Sequence, residues 1–272
     1  MKALLLAAGL GTRLRPMTNV LPKCLAPIGD RPLLEYWFAN LFGAGFEKVV
    51  VNSHYLSDVV HSYVAGTEWS KDIVLEFEPE LLGTAGTIRR HKDFFGKEAF
   101  LVAHADNLSL FDPRDLIRRH DSRPRGAVMT MMTFETSAPS TCGIVSLDEN
   151  AVVANFFEKV ADPPGKLANA AVYLLEPEVV TLIDELTNPH PDFSTEVIPA
   201  LTGKIYTYHN DRFHLDIGTL AAWSEAQTTF PCLRKEVPVI GDSWSQILDR
   251  NGGRVRRAID EIRLGRGSGV AH

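Results

Sequence analysis

The sequence predicts an α/β protein in which a mainly parallel, mixed sheet is flanked by helices in a single compact domain. Short apolar runs alternate with amphipathic segments along the first 112 residues. The chain has 272 residues, of which 45% are hydrophobic, so it has enough apolar side chains for a large core. Charged residues make up 23%, an ordinary globular proportion, and neither a linker nor an internal repeat divides the chain.

The first half of the chain is predicted to alternate strands and helices. Continuous apolar runs indicate strands buried on both faces at residues 2–8, 48–52, 73–78 and 99–105. Amphipathic segments indicate helices at residues 32–45, 57–66 and 84–95. Pro32 suits a first helical turn, and Gly43 and Gly45 suit a helix end. Strands that alternate with helices in this way favour a parallel sheet.

After Asp112 and Pro113 we expect turns rather than long helices between the strands. Strands are predicted at residues 127–134, 143–147, 152–158, 169–175 and 204–209, and helices at 178–185, 194–201 and 219–229. The segment after Phe230 is predicted to be a helical tail, and its basic, glycine-rich end at 254–269 is expected to be solvated.

Composition excludes several classes of protein. A net charge of -6 argues against non-specific binding to nucleic acid, which needs a basic surface. Cys24, Cys142 and Cys232 are too sparse and too far apart for a disulfide framework or a metal-ligand pair, which favours a reducing, cytoplasmic location. The apolar run at residues 1–8 is too short to span a bilayer and is interpreted as a strand, so no membrane partner is expected.

The loop after the first strand is a candidate anion site. Gly9 and Gly11 let backbone N–H groups approach an anion, and Arg13 and Arg15 add charge. The dinucleotide fingerprint would need a glycine in place of Leu14, and the P-loop lysine is missing. A tight turn without a ligand therefore remains an alternative at this point.

Lys23 strengthens the hypothesis of a phosphate site. It follows Pro22 on a proline-rich stretch that is neither helix nor central strand. A lysine on a stiff loop close to an anion site is well placed to hold the same phosphate chain, although a solvated surface lysine is the ordinary alternative.

The pattern Gly9-x-Gly11-Thr12-Arg13-Leu14 with a downstream Pro22-Lys23 resembles the signature of the sugar-1-phosphate nucleotidylyltransferases. This family includes mannose-1-phosphate guanylyltransferases, glucose-1-phosphate thymidylyl- and uridylyltransferases, and muramate-1-phosphate uridylyltransferases. The resemblance runs from residue 1 to about residue 229. It implies a Rossmann-like fold of the nucleotide-diphospho-sugar transferase type, with a nucleotide-binding half at 1–112, a sugar-binding half at 113–230 and a tail at 231–272.

For the nucleotide, the resemblance implies that the glycine loop wraps the triphosphate. Arg13 would bind the departing pyrophosphate, and Lys23 would contact the phosphate under attack. Glu78 occupies the position that reads the base edge, and Gly83 lies in a segment under the base, where a plain turn before a helix is the alternative. The complete set of implied nucleotide contacts is Leu6, Ala8, Gly9, Gly11, Thr12, Arg13, Lys23, Glu78, Gly83 and Asp106.

Two aspartates are the magnesium ligands that the resemblance implies. Asp106 follows the fourth predicted strand, but Ala105 replaces the usual glycine, and His104 is open as a metal ligand or as a packed histidine. Asp216 matches a Trp-x-Asp-x-Gly-Thr motif in which His214 replaces the tryptophan, and a helix N-cap is its alternative role. Two hard oxygen ligands plus substrate phosphates suit Mg²⁺.

For the sugar 1-phosphate, the resemblance assigns contacts to Gly143, Glu158, Lys159 and Asn169. Glu158 would hold sugar hydroxyls and Lys159 would reach the phosphate, although the two residues also read as an ordinary exposed charge pair. Asp192 or Ser194 is interpreted as a helix cap.

The implied reaction transfers a nucleoside monophosphate from a nucleoside triphosphate to a sugar 1-phosphate, with Mg²⁺ as cofactor. Glu78, as an acceptor, favours GTP, with a mannose- or heptose-type sugar. The alternatives are a member that uses UTP, dTTP or CTP, a phosphocholine-type cytidylyltransferase, or a module that senses nucleotide sugars without turnover. A homo-oligomer is left open.

Overall fold

A computed structural model describes residues 1–229 and 243–263. The strands are β1 (Lys2–Leu6), β2 (Pro27–Ile28), β3 (Arg31–Pro32), β4 (Lys48–Ser53), β5 (Ile73–Phe77), β6 (Phe100–His104), β7 (Asn107–Leu110), β8 (Met129–Glu135), β9 (Gly143–Leu147), β10 (Val153–Glu158), β11 (Leu167–Leu175), β12 (Ile205–His209) and β13 (Phe213–Asp216). The helices are α1 (Leu33–Gly43), α2 (Ser57–Ala65), α3 (Thr84–Arg90), α4 (Lys92–Phe95), α5 (Pro113–Asp121), α6 (Pro177–Asp184), α7 (Ile198–Ala200), α8 (Leu220–Thr229) and α9 (Ser243–Arg263).

The central sheet is mixed. Its main path is β10-β9-β11-β6-β1-β4-β5, and β8 adds to it by pairing with β11 and β12. The run β6-β1-β4-β5 is parallel, so the carboxyl ends of these strands meet at one edge. β11 is antiparallel to β6 and begins the mixed part. The predicted α/β class is confirmed.

Successive residues of a strand point to opposite faces, and β1, β4 and β6 are buried on both of them under the helices. The expectation that β5 is also buried on both faces was wrong, because β5 is an edge strand and leaves Val74 and Phe77 exposed. On β1, Ala3 and Leu5 belong to a core cluster that also contains Phe38 of α1 and Trp223 of α8. Leu4 belongs to the cluster on the opposite face, together with Ile88 of α3.

Two features differ from the sequence-based expectation. α5 lies where we predicted turns; it is a polar helix whose buried residues are few, which left little apolar periodicity to detect. Asp112 caps it by accepting a hydrogen bond from Arg114 N–H, and Pro113 opens it. The second unexpected feature is a separate two-stranded sheet of β7 and β13.

The described part of the tail is helical, as predicted, but it is not a solvated appendage. Trp244, Ile247, Val255 and Ile259 of α9 are buried in the same cluster as the β1 face of the core. The expectation was wrong because the exposed charges between these residues mask an apolar face. Residues 264–269 of the expected helix lie outside the described residues. Within the described ranges, no helix has both the length and the apolar character needed to cross a bilayer.

Candidate active site

A cleft of about 250 Å³ opens at the carboxyl edge of the four parallel strands. Open α/β sheets bind ligands at this edge. The lining residues that follow or end these strands are Leu6, Ala8, Gly9, Asn52, Glu78, His104 and Asp106, and the others are Leu81, Gly83, Thr84, Thr87 and Asp192. Six of the implied nucleotide contacts therefore share one cleft.

The glycine loop packs directly against the Lys23 loop. Gly11 has a φ of +62°, and a Cβ atom there would lie 2.8 Å from Thr18 Cγ2 and 3.1 Å from Lys23 Cβ. Thr18 Oγ1 donates a hydrogen bond to Gly11 O at 2.8 Å. The turn therefore needs glycine both for its backbone conformation and for the close approach of Lys23.

A short 3-10 turn, Thr12–Leu14, follows and aims Arg13 outward. Leu14 is buried and anchors this turn, whereas Thr12 and Arg13 are exposed. In the part of the chain that the structure describes, Arg13 has no ion pair. Its exposed guanidinium is therefore available to bind an anion.

Lys23 joins the two predicted metal-binding aspartates. Its Nζ lies 2.6 Å from Asp106 Oδ2 and 3.0 Å from Asp216 Oδ1, and the Lys23 side chain is only 8% exposed. The alternative of a solvated surface lysine is thus wrong. Three charged groups distant in sequence form one cluster.

The small β7–β13 sheet brings the aspartates together. Asp216, the last residue of β13, is opposite Asn107, the first of β7, which places it beside Asp106. The cap of α8 is Thr219, whose Oγ1 accepts from Ala222 N–H at 3.2 Å, so Asp216 is not the N-cap. His214, at the tryptophan position of the motif, packs its ring 4.2 Å from that of Phe134.

Gly218 gives the charged cluster its room. A Cβ atom at Gly218 would lie 2.9 Å from Asp216 Oδ1 and 3.1 Å from both Arg13 Nη2 and Lys23 Nζ. A side chain here would displace one of these groups. Arg13 is thereby located next to Lys23 and Asp216, although it lies on a different loop.

Mutual attraction keeps this cluster ionised. Burial lowers the pKa of the Lys23 ammonium, but the carboxylates of Asp106 and Asp216 outweigh burial and the pKa rises above its usual value. Burial raises the pKa of Asp106, but Lys23 and His104 outweigh it and hold the pKa below its usual value. Near neutral pH Lys23 is therefore an ammonium and Asp106 a carboxylate.

The donor chemistry of the pair suits magnesium. Asp106 and Asp216 offer hard oxygen atoms and already share one cation, the Lys23 ammonium. Among the described residues, no three His, Cys, Asp or Glu side chains form a metal-binding group. A bound Mg²⁺ would therefore take its remaining ligands from water and substrate. His104 Nε2 is buried and has no hydrogen-bond partner in the described part of the chain.

Glu78 lies at the other end of the cleft in a hydrogen-bond network that the sequence did not reveal. Glu78 is only 2% exposed. Its Oε1 accepts from Asn52 Nδ2 at 2.9 Å and from Thr87 Oγ1 at 2.7 Å, and its Oε2 accepts from Leu82 N–H at 3.3 Å. Asn52 and Thr87 were missed; a polar residue inside the apolar run of β4 was the available signal for Asn52.

The bottom of the cleft is fixed by a close contact between two segments of the chain. Gly83 has a φ of +77°, and a Cβ atom there would lie 2.5 Å from Pro191 O. Thr84 Oγ1 donates to Asp192 Oδ2 at 2.9 Å. Asp192 Oδ1 also accepts from Thr195 N–H, so its predicted role as a helix cap is confirmed.

Three of the four implied sugar contacts lie on β9, β10 and β11, and Lys159 directly follows β10; none of the four lines the cleft. Gly143 is opposite Glu158, and a Cβ atom on Gly143 would lie 2.6 Å from Glu158 Oε2. Lys159 Nζ lies 3.0 Å from Glu158 Oε1 and is exposed. Asn169 Nδ2 donates to the Tyr173 hydroxyl at 2.8 Å.

One hydrogen bond connects this group to the charged cluster. Asn107 Nδ2 donates to Ala170 O at 3.2 Å, so the residue after Asp106 is tied to the residue after Asn169. The structure thus brings the glycine loop, the charged cluster and the implied sugar contacts toward one edge of the sheet.

These features define an α/β protein with a glycine-rich loop and a candidate cation site at one edge of its sheet. Residues 2–231 match the model of the nucleotidyl transferase family, and the chain belongs to that family. The family predicted from the motifs is confirmed, and its named relatives are sugar-1-phosphate nucleotidyltransferases.

Among these relatives is the UTP–glucose-1-phosphate uridylyltransferase of Synechocystis sp., 30% identical over 245 residues, which cover 83% of this chain and 62% of the relative. Another is the mannose-1-phosphate guanyltransferase of Aspergillus oryzae, 30% identical over 226 residues, which cover 80% and 61%. The chain thus spans about three fifths of the length of these relatives.

A solved structure from Bacillus anthracis, provisionally identified as a glucose-1-phosphate thymidylyltransferase, has a TM-score of 0.77 and 21% identity. The match covers 90% of this chain and 99% of that one. It shows that the two chains share a fold, in agreement with the predicted type.

Proposed function

We propose that the chain transfers a nucleoside monophosphate from a nucleoside triphosphate to a sugar 1-phosphate, giving a nucleotide sugar and pyrophosphate. The observation that carries this proposal is the ion cluster in which Lys23 joins Asp106 and Asp216 beside the glycine loop. The names of the relatives support it, because one is named for uridylyl transfer from UTP to glucose 1-phosphate and another for guanylyl transfer to mannose 1-phosphate.

The proposed reaction is a direct displacement at the α-phosphorus. An oxygen of the sugar phosphate forms a bond to that phosphorus while the bond to the β-phosphate oxygen breaks, and pyrophosphate leaves with the electron pair. A phosphate oxygen is ionised at neutral pH, so no side-chain base or nucleophile is required. Lys23 would balance charge on the α-phosphate, and Arg13 would bind the departing pyrophosphate. Mg²⁺ held by Asp106 and Asp216 would supply further positive charge beside the polyphosphate.

We further infer a preference for GTP, from Glu78 in the cleft lining. A carboxylate only accepts hydrogen bonds, and guanine presents two adjacent donors. A carboxylate gripping both donors would need free lone pairs on both oxygens, but Oε1 already accepts two hydrogen bonds. The carboxylate still disfavours uracil, because the only N–H of that base lies between two carbonyl oxygens, which a negatively charged oxygen repels. Relatives of equal identity are named for UTP and for mannose-1-phosphate guanylyl transfer, so identity does not select the base.

A pyrophosphate-release screen of the nucleoside triphosphates against a panel of sugar 1-phosphates tests these proposals. We expect release with a mannose- or heptose-type sugar phosphate and a kcat/KM for GTP roughly tenfold above that for UTP or dTTP. Glu78→Gln should narrow this gap. Equal kcat/KM values for UTP and GTP would contradict the preference for GTP and would leave the proposed transfer reaction standing.

Binding without release for every pair would instead favour a nucleotide-sugar sensor. Release with CTP and phosphocholine would favour a cytidylyltransferase. A cytoplasmic location remains a prediction; Cys24 and Cys142 are free, and Cys232 lies outside the described residues.

A further inference from the structure

Asn52 connects the two ends of the cleft. It lies near the carboxyl end of β4, between β1 and β5 in the sheet, and is 3% exposed. Its Oδ1 accepts from Ala7 N–H at 2.7 Å, just before the glycine loop, and its Nδ2 donates to Glu78 Oε1 at 2.9 Å. One buried amide therefore accepts a hydrogen bond from the residue pair that leads into the glycine loop and donates one to the Glu78 carboxylate.

This bond also decides which oxygen of Glu78 is available. A carboxylate oxygen has two lone pairs in the plane of the group. Those of Oε1 are occupied by Asn52 and Thr87, whereas Oε2 receives only the 3.3 Å bond from Leu82 N–H. Because Glu78 is buried in the cleft wall, its single remaining acceptor has a fixed direction.

We propose that Asn52 is a positioning residue for base discrimination. It holds Glu78 so that one charged acceptor faces the cleft, at a fixed distance from the loop proposed to hold the triphosphate. The ligand class is a purine nucleoside triphosphate that presents one N–H donor to Oε2. The inference rests on the proposed function. Asn52 acts through its hydrogen bonds with Ala7, Glu78 and Thr87, so its loss alters nucleotide selection and leaves the implied sugar contacts intact.

The substitution Asn52→Asp tests the hydrogen bond to Glu78 separately from the hydrogen bond that Ala7 N–H donates. The variant is nearly isosteric and keeps an acceptor for Ala7 N–H, so the glycine loop retains its support. The new carboxylate faces Glu78, and the two groups either repel or share a proton. In both cases Glu78 loses its present orientation or part of its charge.

For Asn52→Asp we expect the KM for the preferred nucleotide to rise about tenfold and its kcat/KM advantage over the next nucleotide to fall at least fivefold, which corresponds to loss of one charge-assisted hydrogen bond. The KM for the sugar phosphate should change less than about twofold. In the wild type, Asn52 donates to Glu78. In the double variant Asn52→Asp with Glu78→Gln, the glutamine amide would donate to the aspartate, so the direction of this hydrogen bond is reversed. The double variant should recover most of the nucleotide affinity with a changed base preference.

Ser53→Ala is the matched control. Ser53 is the next residue of β4, is equally buried, and bonds to Glu76 O at 3.3 Å without lining the cleft. The proposal is overturned if Asn52→Asp keeps the wild-type nucleotide KM and base ratio, or if it raises both substrate KM values equally as a general loss of stability would.

Nucleotide binding measured by thermal shift distinguishes this failure from failure of the proposed function. If wild-type protein binds GTP but releases no pyrophosphate, the proposed reaction fails, and the GTP and UTP shifts of Asn52→Asp still test Asn52. If wild-type protein binds no nucleoside triphosphate, both proposals are wrong.

Discussion

The residues of the charged cluster depend on one another because each ion is balanced by a neighbour. Lys23 is nearly buried, and its ammonium has two carboxylates within 3.0 Å. Removing one charged partner from such a cluster leaves an uncompensated charge, which costs more than loss of a surface ion pair. Substitutions here are therefore expected to affect charge balance before they affect shape.

Asp106→Asn and Asp216→Asn should each lower kcat at least about 100-fold, because a neutral amide does not balance magnesium beside a polyphosphate. The side chains are nearly isosteric, so the fold should be kept. Pyrophosphate release under saturating substrates measures the loss, and Asp211→Asn, an exposed aspartate outside the cluster, is the control. Near-normal turnover in either variant would remove that aspartate from the site.

Lys23 Nζ bonds to both carboxylates that would hold a metal, and it would therefore compete with that metal for them. Lys23→Met should therefore raise the affinity of the nucleotide-free protein for Mn²⁺, by about fivefold or more, while it lowers turnover. Mn²⁺ titration followed by electron paramagnetic resonance measures this affinity. Arg13→Met removes an equal charge close by without removing an ion pair to either carboxylate and should have a smaller effect. Unchanged or weaker Mn²⁺ binding in Lys23→Met would contradict direct competition.

Glu158 tests the sugar pocket. Glu158→Ala should raise the KM for the sugar phosphate about tenfold and change the nucleotide KM by less than about twofold, because hydrogen bonds to one substrate are lost. Glu149→Ala is the control, since Glu149 is exposed at the opposite end of the β9–β10 pair. If both KM values rise together, the sugar pocket lies elsewhere.

At the scale of elements, the edge of the cleft depends on backbone contacts that admit no side chain. The start of α3 rests on residues 190–192: Ala85 N–H donates to Pro191 O at 3.0 Å, and Gly83 lies against the same carbonyl. Helix α3 in turn carries Thr87, which bonds to Glu78. A shift of this contact would therefore be transmitted to the base end of the cleft.

Gly83→Ala should lower the free energy of unfolding by about 2–4 kcal/mol, from a positive φ and an overlap with backbone. Gly96→Ala is the matched control: its φ is +72°, but no atom lies within 4 Å of the added Cβ. Urea denaturation compares the two. Equal losses would mean that backbone strain alone accounts for the effect and that the contact with Pro191 relaxes freely.

The elements that could be predicted from the sequence are those with a clear local pattern of apolar residues. The parallel strands β1, β4 and β6 are buried on both faces and appear as short apolar runs, such as the three valines at 49–51. The edge strand β5 has a similar apolar run but leaves Val74 and Phe77 exposed, and its position at the edge could not be inferred from that run. β7 and β13 have four residues each and pair across about a hundred positions, so no local pattern shows their contact. Asp106 and Asp216 were therefore paired only through the resemblance, and Asn52, a lone amide in an apolar strand, had no motif to mark it.

For the molecule as a whole, α9 extends the core beyond the segment that matches the family. The match ends at residue 231, and α9 lies after it. α9 packs against α2 and against the 3-10 turn Met17–Asn19, which lies between Arg13 and Lys23 in the chain. Its Arg263 Nη2 also donates to Gly29 O at 2.8 Å. The helix thus packs against the turn that connects the Arg13 loop to the Lys23 loop and stabilises both loops.

Ile259 tests this support because it is 4% exposed and belongs to the same core cluster as Leu14 and Met17. Ile259→Ala should lower the free energy of unfolding by about 2–4 kcal/mol, through lost apolar contact and the cavity left behind. Asp260→Ala, at the exposed neighbouring position, should stay within about 0.5 kcal/mol of the wild type. Urea denaturation of the full chain measures both variants. The nucleotide KM should rise, because α9 packs against the 3-10 turn between Arg13 and Lys23. The ratio of kcat/KM for GTP to that for UTP should stay constant, because Glu78 is held by Asn52, Thr87 and Leu82. Equal stability of the two variants would mean that α9 does not form part of the core in solution.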